Sequence, residues 1–304
     1  MALYDFPPTG GNWKKFDGDP ILGDEKIGTC FDIFLLEEPD ELRMYFSWRP
    51  KKSLAVTTSK DGINWSPLKI ILEPRQDTAW EDDLNRNCIV KVGGKYHMWY
   101  TGQARGYSFI GYATSQDGYN FERQNNAMPV LKPESYWENR SVMNPHVLWD
   151  EKEQIFKMWY SGGETYEPNA IGYATSHDGI SWEKHPANPI LVHEPKNQYE
   201  QERIGGCQVK QVEDGYLIFY IGYEDIDTAR ICVAKSPDGI TRWQRSAHNP
   251  IVSPAEGEWD AHACYKPFVL YDRGLDRWRL YYNGRREGVE YVGMAEMFGC
   301  DFGF

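Results

Sequence analysis

The sequence predicts an all-β protein: a five-bladed β-propeller of four-stranded antiparallel blades, one domain over residues 1–304, with its ring closed by an N-terminal strand. Three observations predict it. A phrase of the form Gly-Tyr-Ala-Thr-Ser-x-Asp-Gly-x-x-Trp returns about every 60 residues. Between its copies the apolar residues come in short runs rich in Val, Ile, Tyr, Phe and Trp, bounded by Gly, Asp, Asn and Pro, which is the pattern of strands. The two ends of the chain each carry part of one further unit.

The copies are Ser59-Lys60-Asp61-Gly62 with Trp65, Ser115-Gln116-Asp117-Gly118 with Phe121, Ser176-His177-Asp178-Gly179 with Trp182, and Ser236-Pro237-Asp238-Gly239 with Trp243. A degraded fifth is Ala295-Glu296-Met297-Phe298-Gly299. Within the third unit, Val142–Trp149 reads as a first strand, Ile155–Ser161 as a second, Ala170–Ser176 as a third and Ser181–Lys184 as a fourth. The Asp-Gly pair suits the hairpin between third and fourth strands, because Gly accepts a positive φ and Asp bonds its own turn backbone. The Trp that follows is expected between blades. A lone four-stranded meander cannot bury both faces, and radial repetition solves this while leaving only short sheet edges. The fifth unit stops without its Trp and Asn-Pro-Ile-Leu, whereas the N-terminus carries Trp13-Lys14-Lys15-Phe16 and Asp19-Pro20-Ile21-Leu22, so the missing outer strand is expected from there.

Composition narrows the partners. A net charge of −12 without a Lys/Arg run argues against nucleic acid, whose binding rests on phosphate neutralisation. An aromatic content of 15%, with 12 Trp and 20 Tyr, serves blade packing first and leaves some rings for a carbohydrate platform. No segment approaches a membrane span, and Met1–Phe6 lacks the regions of a signal peptide, so a cytoplasmic protein without membrane contact is expected, with a trimmed secreted or periplasmic protein as the alternative. Cys30, Cys88, Cys207, Cys232, Cys264 and Cys300 lack metal-type spacing and read as buried reduced thiols.

In a propeller the first strand of each blade lines the channel. Aligning on Trp80-Glu81, Trp137-Glu138, Tyr199-Glu200 and Trp259-Asp260 puts Asp32, Asn87, Asn144, Gly206 and Lys266 in one column. Polar and charged side chains at a strand core fit either a ligand pocket or a self-satisfied polar channel. The repeated Trp-acid pairs read as anchors of blade-entry turns.

The phrases Met-Trp-Tyr-Ser-Gly, Gly-Tyr-Ala-Thr-Ser-x-Asp-Gly-x-x-Trp and Asn-Pro-Ile-Leu resemble, over essentially the whole chain, the five-bladed β-propeller glycosidases, which include glycoside hydrolase families 32, 43, 62, 68, 117 and 130. The resemblance implies a glycosidase that releases sugars from oligosaccharide ends, with arabinofuranosides, xylosides or fructosides as substrate classes. It places Asp32 as general base or nucleophile. Families 43 and 32 put a second Asp on blade two and an acidic Glu before the Pro of blade three, where this chain has Asn87 and Met143. The acid is therefore sought among other carboxylates, Asp83 included, with Glu202 first and Glu164 second. Trp48, Arg49, Arg86, Asn87, Asn144, His146, His262, Lys266 and Arg285 are the expected substrate contacts. No metal or cofactor is expected, with a structural channel cation such as calcium as the alternative. Two other readings stand beside the hydrolase: a phosphorylase of the family 130 type, which needs one protein acid because phosphate attacks, and a propeller that binds glycans without cleaving them.

Overall fold

The computed structural model describes residues 9–304. The expectation for Met1–Phe6 lies outside them. The chain is built from antiparallel meanders and falls into two compact units.

Asp32–Val192 forms one unit. Strands Cys30–Glu37, Leu42–Trp48, Ser53–Ser59 and Lys69–Leu72 make a four-stranded sheet in chain order. Asp83–Val92, Lys95–Ala104, Tyr107–Ser115 and Glu122–Arg123 follow as a second meander, and Ser141–Asp150, Ile155–Glu164, Glu167–Ser176 and Glu183–Lys184 as a third, with Leu191–Val192 also paired to Glu167–Ser176. A single parallel register point, Ser141 with Ser108, joins the last two. These boundaries follow the strands read from the sequence within a few residues. Trp99, Trp159, Tyr45, Tyr100, Tyr160, Phe46 and Met44 are among its large fully buried side chains.

Residues 9–31 and His193–Phe304 form the other unit. Here Arg203–Val212, Gly215–Tyr223, Ala229–Ser236 and Gln244–Arg245 are followed by Ala263–Asp272, Arg277–Arg286 and Val289–Phe298. The final meander takes its outer strand from the N-terminal segment: Lys14 stands opposite Glu296, Lys15 opposite Ala295, and Leu22 bridges Val292. Trp13 joins Phe219, Val233, Leu280, Tyr282 and Met297 in the unit's apolar core.

The repeated phrase acquires a physical meaning in three places. The Ser-x-Asp-Gly turns are identical networks: in the first, Gly62 N–H donates to Ser59 Oγ at 2.9 Å, and Ile63 and Asn64 N–H donate to Asp61 Oδ1 at 2.9 and 2.8 Å. Those backbone donors hold the Asp61 carboxyl well below the usual carboxylate range. The aromatic after the turn packs between meanders, as expected: Trp182 meets Trp99 edge-on at 5.8 Å.

The Trp-acid pairs are staples. Glu81, Glu138, Glu200 and Asp260 are each fully buried and each accept a hydrogen bond from a Tyr hydroxyl, from Tyr100 at 3.2 Å, Tyr160 at 2.8 Å, Tyr220 at 3.0 Å and Tyr282 at 2.9 Å. Each is also paired with a cation from the outer strand: Arg123, Lys184, Arg245 and, in the last meander, Lys15. Lys15 thus occupies the place of Lys184 although it lies at the opposite end of the chain. In the three pairs that carry Trp, its ring lies against a glycine of the second strand; a Cβ at Gly162 would come within 2.4 Å of the Trp137 ring. This is why Gly stands two residues after the Tyr in the repeat. Five cysteines are buried free thiols, and Cys300 departs from the expectation by being exposed.

Candidate functional site

The site begins with backbone strain. Asp32, Arg86, Asn144, Gly206 and Lys266 all have positive φ, of 56°, 56°, 54°, 46° and 51°, each on the first strand of its meander. For the last four, the strand register breaks at that point, between Asn85 and Cys88, Met143 and His146, Gly205 and Cys207, and Tyr265 and Phe268. Glycine holds this conformation freely, as Gly206 does, while an L side chain pays about 1–2 kcal/mol for it. Asp, Arg, Asn and Lys at four of these five positive-φ positions are therefore kept for what their side chains do.

The register corrects the column read from the sequence. In the second meander the bulge position is Arg86, and Asn87 sits one residue past it. Counting from the Trp-acid pair missed this because the second meander uses one residue fewer between Trp80 and its bulge than the third uses from Trp137: 86 − 80 = 6 against 144 − 137 = 7.

In the unit of residues 32–192, two of these positions, Asp32 and Arg86, meet. Asp32 is 2% exposed, and its Oδ2 lies 3.6 Å from Arg86 Nε. Arg86 is fixed from three directions: its N–H donates to Ser47 Oγ at 3.0 Å, Nη2 donates to the Tyr166 carbonyl at 3.3 Å, and Nε faces Asp32. Its Nη1 is buried without a hydrogen-bond partner among the described residues. Asn144 N–H donates to Thr101 Oγ1 at 3.2 Å and its Nδ2 reaches Ser161 Oγ at 3.5 Å, leaving a buried Oδ1 unpartnered. Both amide atoms of Asn87 are likewise buried and unpartnered. Buried polar groups of this kind are rare without a ligand or water to satisfy them. His146 is 5% exposed and tilted against Phe34 at 6.3 Å.

Around this centre, Asn85 Nδ2 donates to Gln103 Oε1 at 2.6 Å, Gln103 Nε2 to Ser108 Oγ at 3.1 Å, and Ser108 Oγ to the Thr165 carbonyl at 3.2 Å. The bulge is thereby tied to the hairpin at residues 164–167. Asp83, three residues before Arg86, is half-buried; burial pushes its carboxyl up against the opposing influence of Lys52, Arg49 and Arg86. Glu164 is exposed at the hairpin tip. Trp48 is half-buried and Arg49 exposed at the end of the second strand of the first sheet.

The other unit holds the remaining candidates. Lys266 is 9% exposed at its bulge. Glu202 is ion-paired with Arg203. Arg285 Nη2 donates to the Asp227 carbonyl at 2.7 Å, and His262 is exposed, its Nδ1 accepting the Glu287 N–H at 3.2 Å, which makes it a turn anchor. The sequence reading passed over Tyr166, whose position two residues after Glu164 was the available signal.

Residues 38–189 match the model of the glycosyl hydrolases family 32 N-terminal domain. Asp32 lies just ahead of that span. A 1,2-beta-oligomannan phosphorylase of Thermoanaerobacter is 27% identical over 206 residues, covering 64% of this chain and 62% of the relative. A beta-1,2-mannobiose phosphorylase of the same organism is 25% identical over 282 residues, covering 70% of this chain and 91% of the relative. A thermostable family-43 glycoside hydrolase of known structure superposes with a TM-score of 0.73 at 16% identity, covering 91% of each chain.

Proposed function

Because the chain belongs to the glycosyl hydrolase family 32 N-terminal domain family, we propose that it is a carbohydrate-active enzyme that cleaves a glycosidic bond at the Asp32–Arg86 site, with inorganic phosphate as the attacking group. The observation that carries this reading is Arg86: a guanidinium held in a strained bulge beside a carboxylate, with Nη1 buried and unsatisfied. A phosphate oxygen would satisfy that donor, and charge-assisted bonds from Arg to phosphate are among the strong ones. As a phosphate oxygen bonds to the anomeric carbon, the glycosidic C–O bond breaks and the leaving oxygen takes a proton from Asp32. Phosphate then returns the proton to Asp32.

The relatives' names support phosphorolysis and point to β-1,2-mannosides, in place of the arabinofuranosides, xylosides or fructosides that the resemblance implied. The same reading takes the meanders as five blades of one domain, closed by the N-terminal strand; Lys15 in the place of Lys184 supports it. Hydrolysis is the second reading, favoured by Asp83, a half-buried carboxyl near Arg86 that burial keeps toward its neutral form and that could serve as a second catalytic group. Neither Glu202 nor Glu164 has a comparable setting.

An oligosaccharide panel containing β-1,2-mannobiose, incubated with and without phosphate, separates the readings. Phosphorolysis gives cleavage only with phosphate, and Asp83→Asn leaves it within a few-fold of wild type. Equal cleavage without phosphate, abolished by Asp83→Asn, would establish hydrolysis instead.

A further inference from the structure

Two hairpin tips in the unit of residues 32–192 carry exposed aromatic side chains. Tyr107 is 44% exposed at the turn between Lys95–Ala104 and Tyr107–Ser115, and Tyr166 is 38% exposed at the turn between Ile155–Glu164 and Glu167–Ser176. These tips belong to neighbouring meanders and are fastened to each other. Gly106 N–H donates to Tyr166 Oη at 3.0 Å, and Ser108 Oγ donates to the Thr165 carbonyl at 3.2 Å. The Arg140 guanidinium lies 5.8 Å from the Tyr107 ring centre. The fastening reaches the reaction centre through one bond: the Tyr166 carbonyl accepts Arg86 Nη2 at 3.3 Å, while Arg86 Nε faces Asp32.

We infer that Tyr166 and Tyr107 form an aromatic shelf that binds a second sugar unit of the substrate, one beyond the residue whose glycosidic bond is cleaved, and so select oligosaccharides over monosaccharide glycosides. The inference rests on the Asp32–Arg86 centre being the place of bond cleavage. Three features support it. The rings are wide apolar surfaces with a polar edge, suited to the C–H faces and hydroxyls of a pyranose. The tips are bonded together, so the shelf is ordered before the sugar arrives, which lowers the cost of binding. Tyr166 is one hydrogen bond from the guanidinium that faces the catalytic carboxylate, which puts the shelf at the scale of a neighbouring sugar. Arg140 beside Tyr107 supplies donors for the hydroxyls of the same unit.

Tyr166 has two separable parts, a ring and a hydroxyl that holds the Gly106 tip, and the test uses that separation. Binding of β-1,2-mannobiose and of mannose is measured by titration calorimetry or ligand-observed NMR on wild type and on Tyr166→Ala, Tyr166→Phe and Tyr107→Ala. KM for the disaccharide is measured alongside wherever the wild type turns it over. The shelf predicts that wild type binds the disaccharide more tightly than mannose. Tyr166→Ala should weaken disaccharide binding about tenfold, as loss of one stacking surface does. Tyr166→Phe should stay within threefold of wild type, and Tyr107→Ala should fall between the two. The inference is overturned if Tyr166→Phe loses as much as Tyr166→Ala, which would make the residue a tie between hairpins only. It is overturned equally if wild type binds disaccharide no better than mannose. Absence of cleavage with intact, ring-dependent disaccharide binding would instead refute the catalytic reading and leave the shelf standing.

Discussion

At the scale of residues, the conformation of Asp32 and Arg86 carries the account. Each holds a positive φ that glycine would adopt without strain, so their side chains must return that cost through function. Asp32→Asn should lower kcat by about 10²–10⁴-fold, the range for loss of a positioned proton-transfer group, with far-UV circular dichroism unchanged. Arg86→Met should raise the KM for phosphate at least about tenfold, since a charge-assisted bond is worth roughly 1.5–3 kcal/mol, while Asp32 keeps its place at a neighbouring strand. A third residue makes a prediction about pH. Burial pushes the Asp19 carboxyl up to about 8, opposed by the Met294 N–H that it accepts and by Lys15, and reinforced by Asp260 and Glu296. Its folded value lies above its unfolded value of 3.8. Between about pH 4 and 8 the unfolded chain has therefore released a proton that the folded protein retains, and stability declines as pH rises through that window. Asp19→Asn should leave Tm nearly unchanged at pH 4.5 and raise it progressively toward pH 8; a difference constant with pH would remove the assignment.

At the scale of elements, the meander and its staple explain why the sequence could be read. Four of the five meanders repeat an acid, a Tyr and a cation at the same three places, and four repeat an Asp whose carboxylate closes a turn, so these features recur at fixed spacing. Glu138 also accepts the N–H groups of Glu134 and Ser135. Removing it in Glu138→Ala takes the buried carboxylate from Lys184 and the Tyr160 hydroxyl, which keep only the Lys132 carbonyl, Glu134 and Asn188, and the expected loss is about 3 kcal/mol, seen as a drop in the urea midpoint at unchanged slope. What was not legible is what does not repeat. The second meander enters its bulge one residue early, which moved the column from Asn87 to Arg86. Spacing alone could not reveal this, because a bulge adds an unpaired residue without changing the apolar pattern. Tyr166 escaped for a related reason: it lies on a hairpin tip, where the five copies differ in composition. The repeats exposed the scaffold, and the deviations from repetition held the chemistry.

At the scale of the whole molecule, the last meander depends on both ends of the chain. Lys15 pairs with fully buried Asp260 at 2.5 Å, and the Lys14–Lys15 strand is the outer edge of the sheet that ends at Phe298. Lys15→Ala leaves that carboxylate without its cation, at a cost of about 3–5 kcal/mol, and should lower Tm far more than Lys14→Ala, whose side chain is exposed. The central claim, that phosphate takes the place of water as attacking group beside Arg86, is tested most directly by ³¹P NMR of a reaction of wild-type protein with β-1,2-mannobiose and inorganic phosphate. The account predicts a sugar 1-phosphate resonance growing in step with loss of disaccharide and absent for Asp32→Asn. Free mannose released at the same rate in phosphate-free buffer, with no new phosphorus signal, would contradict it.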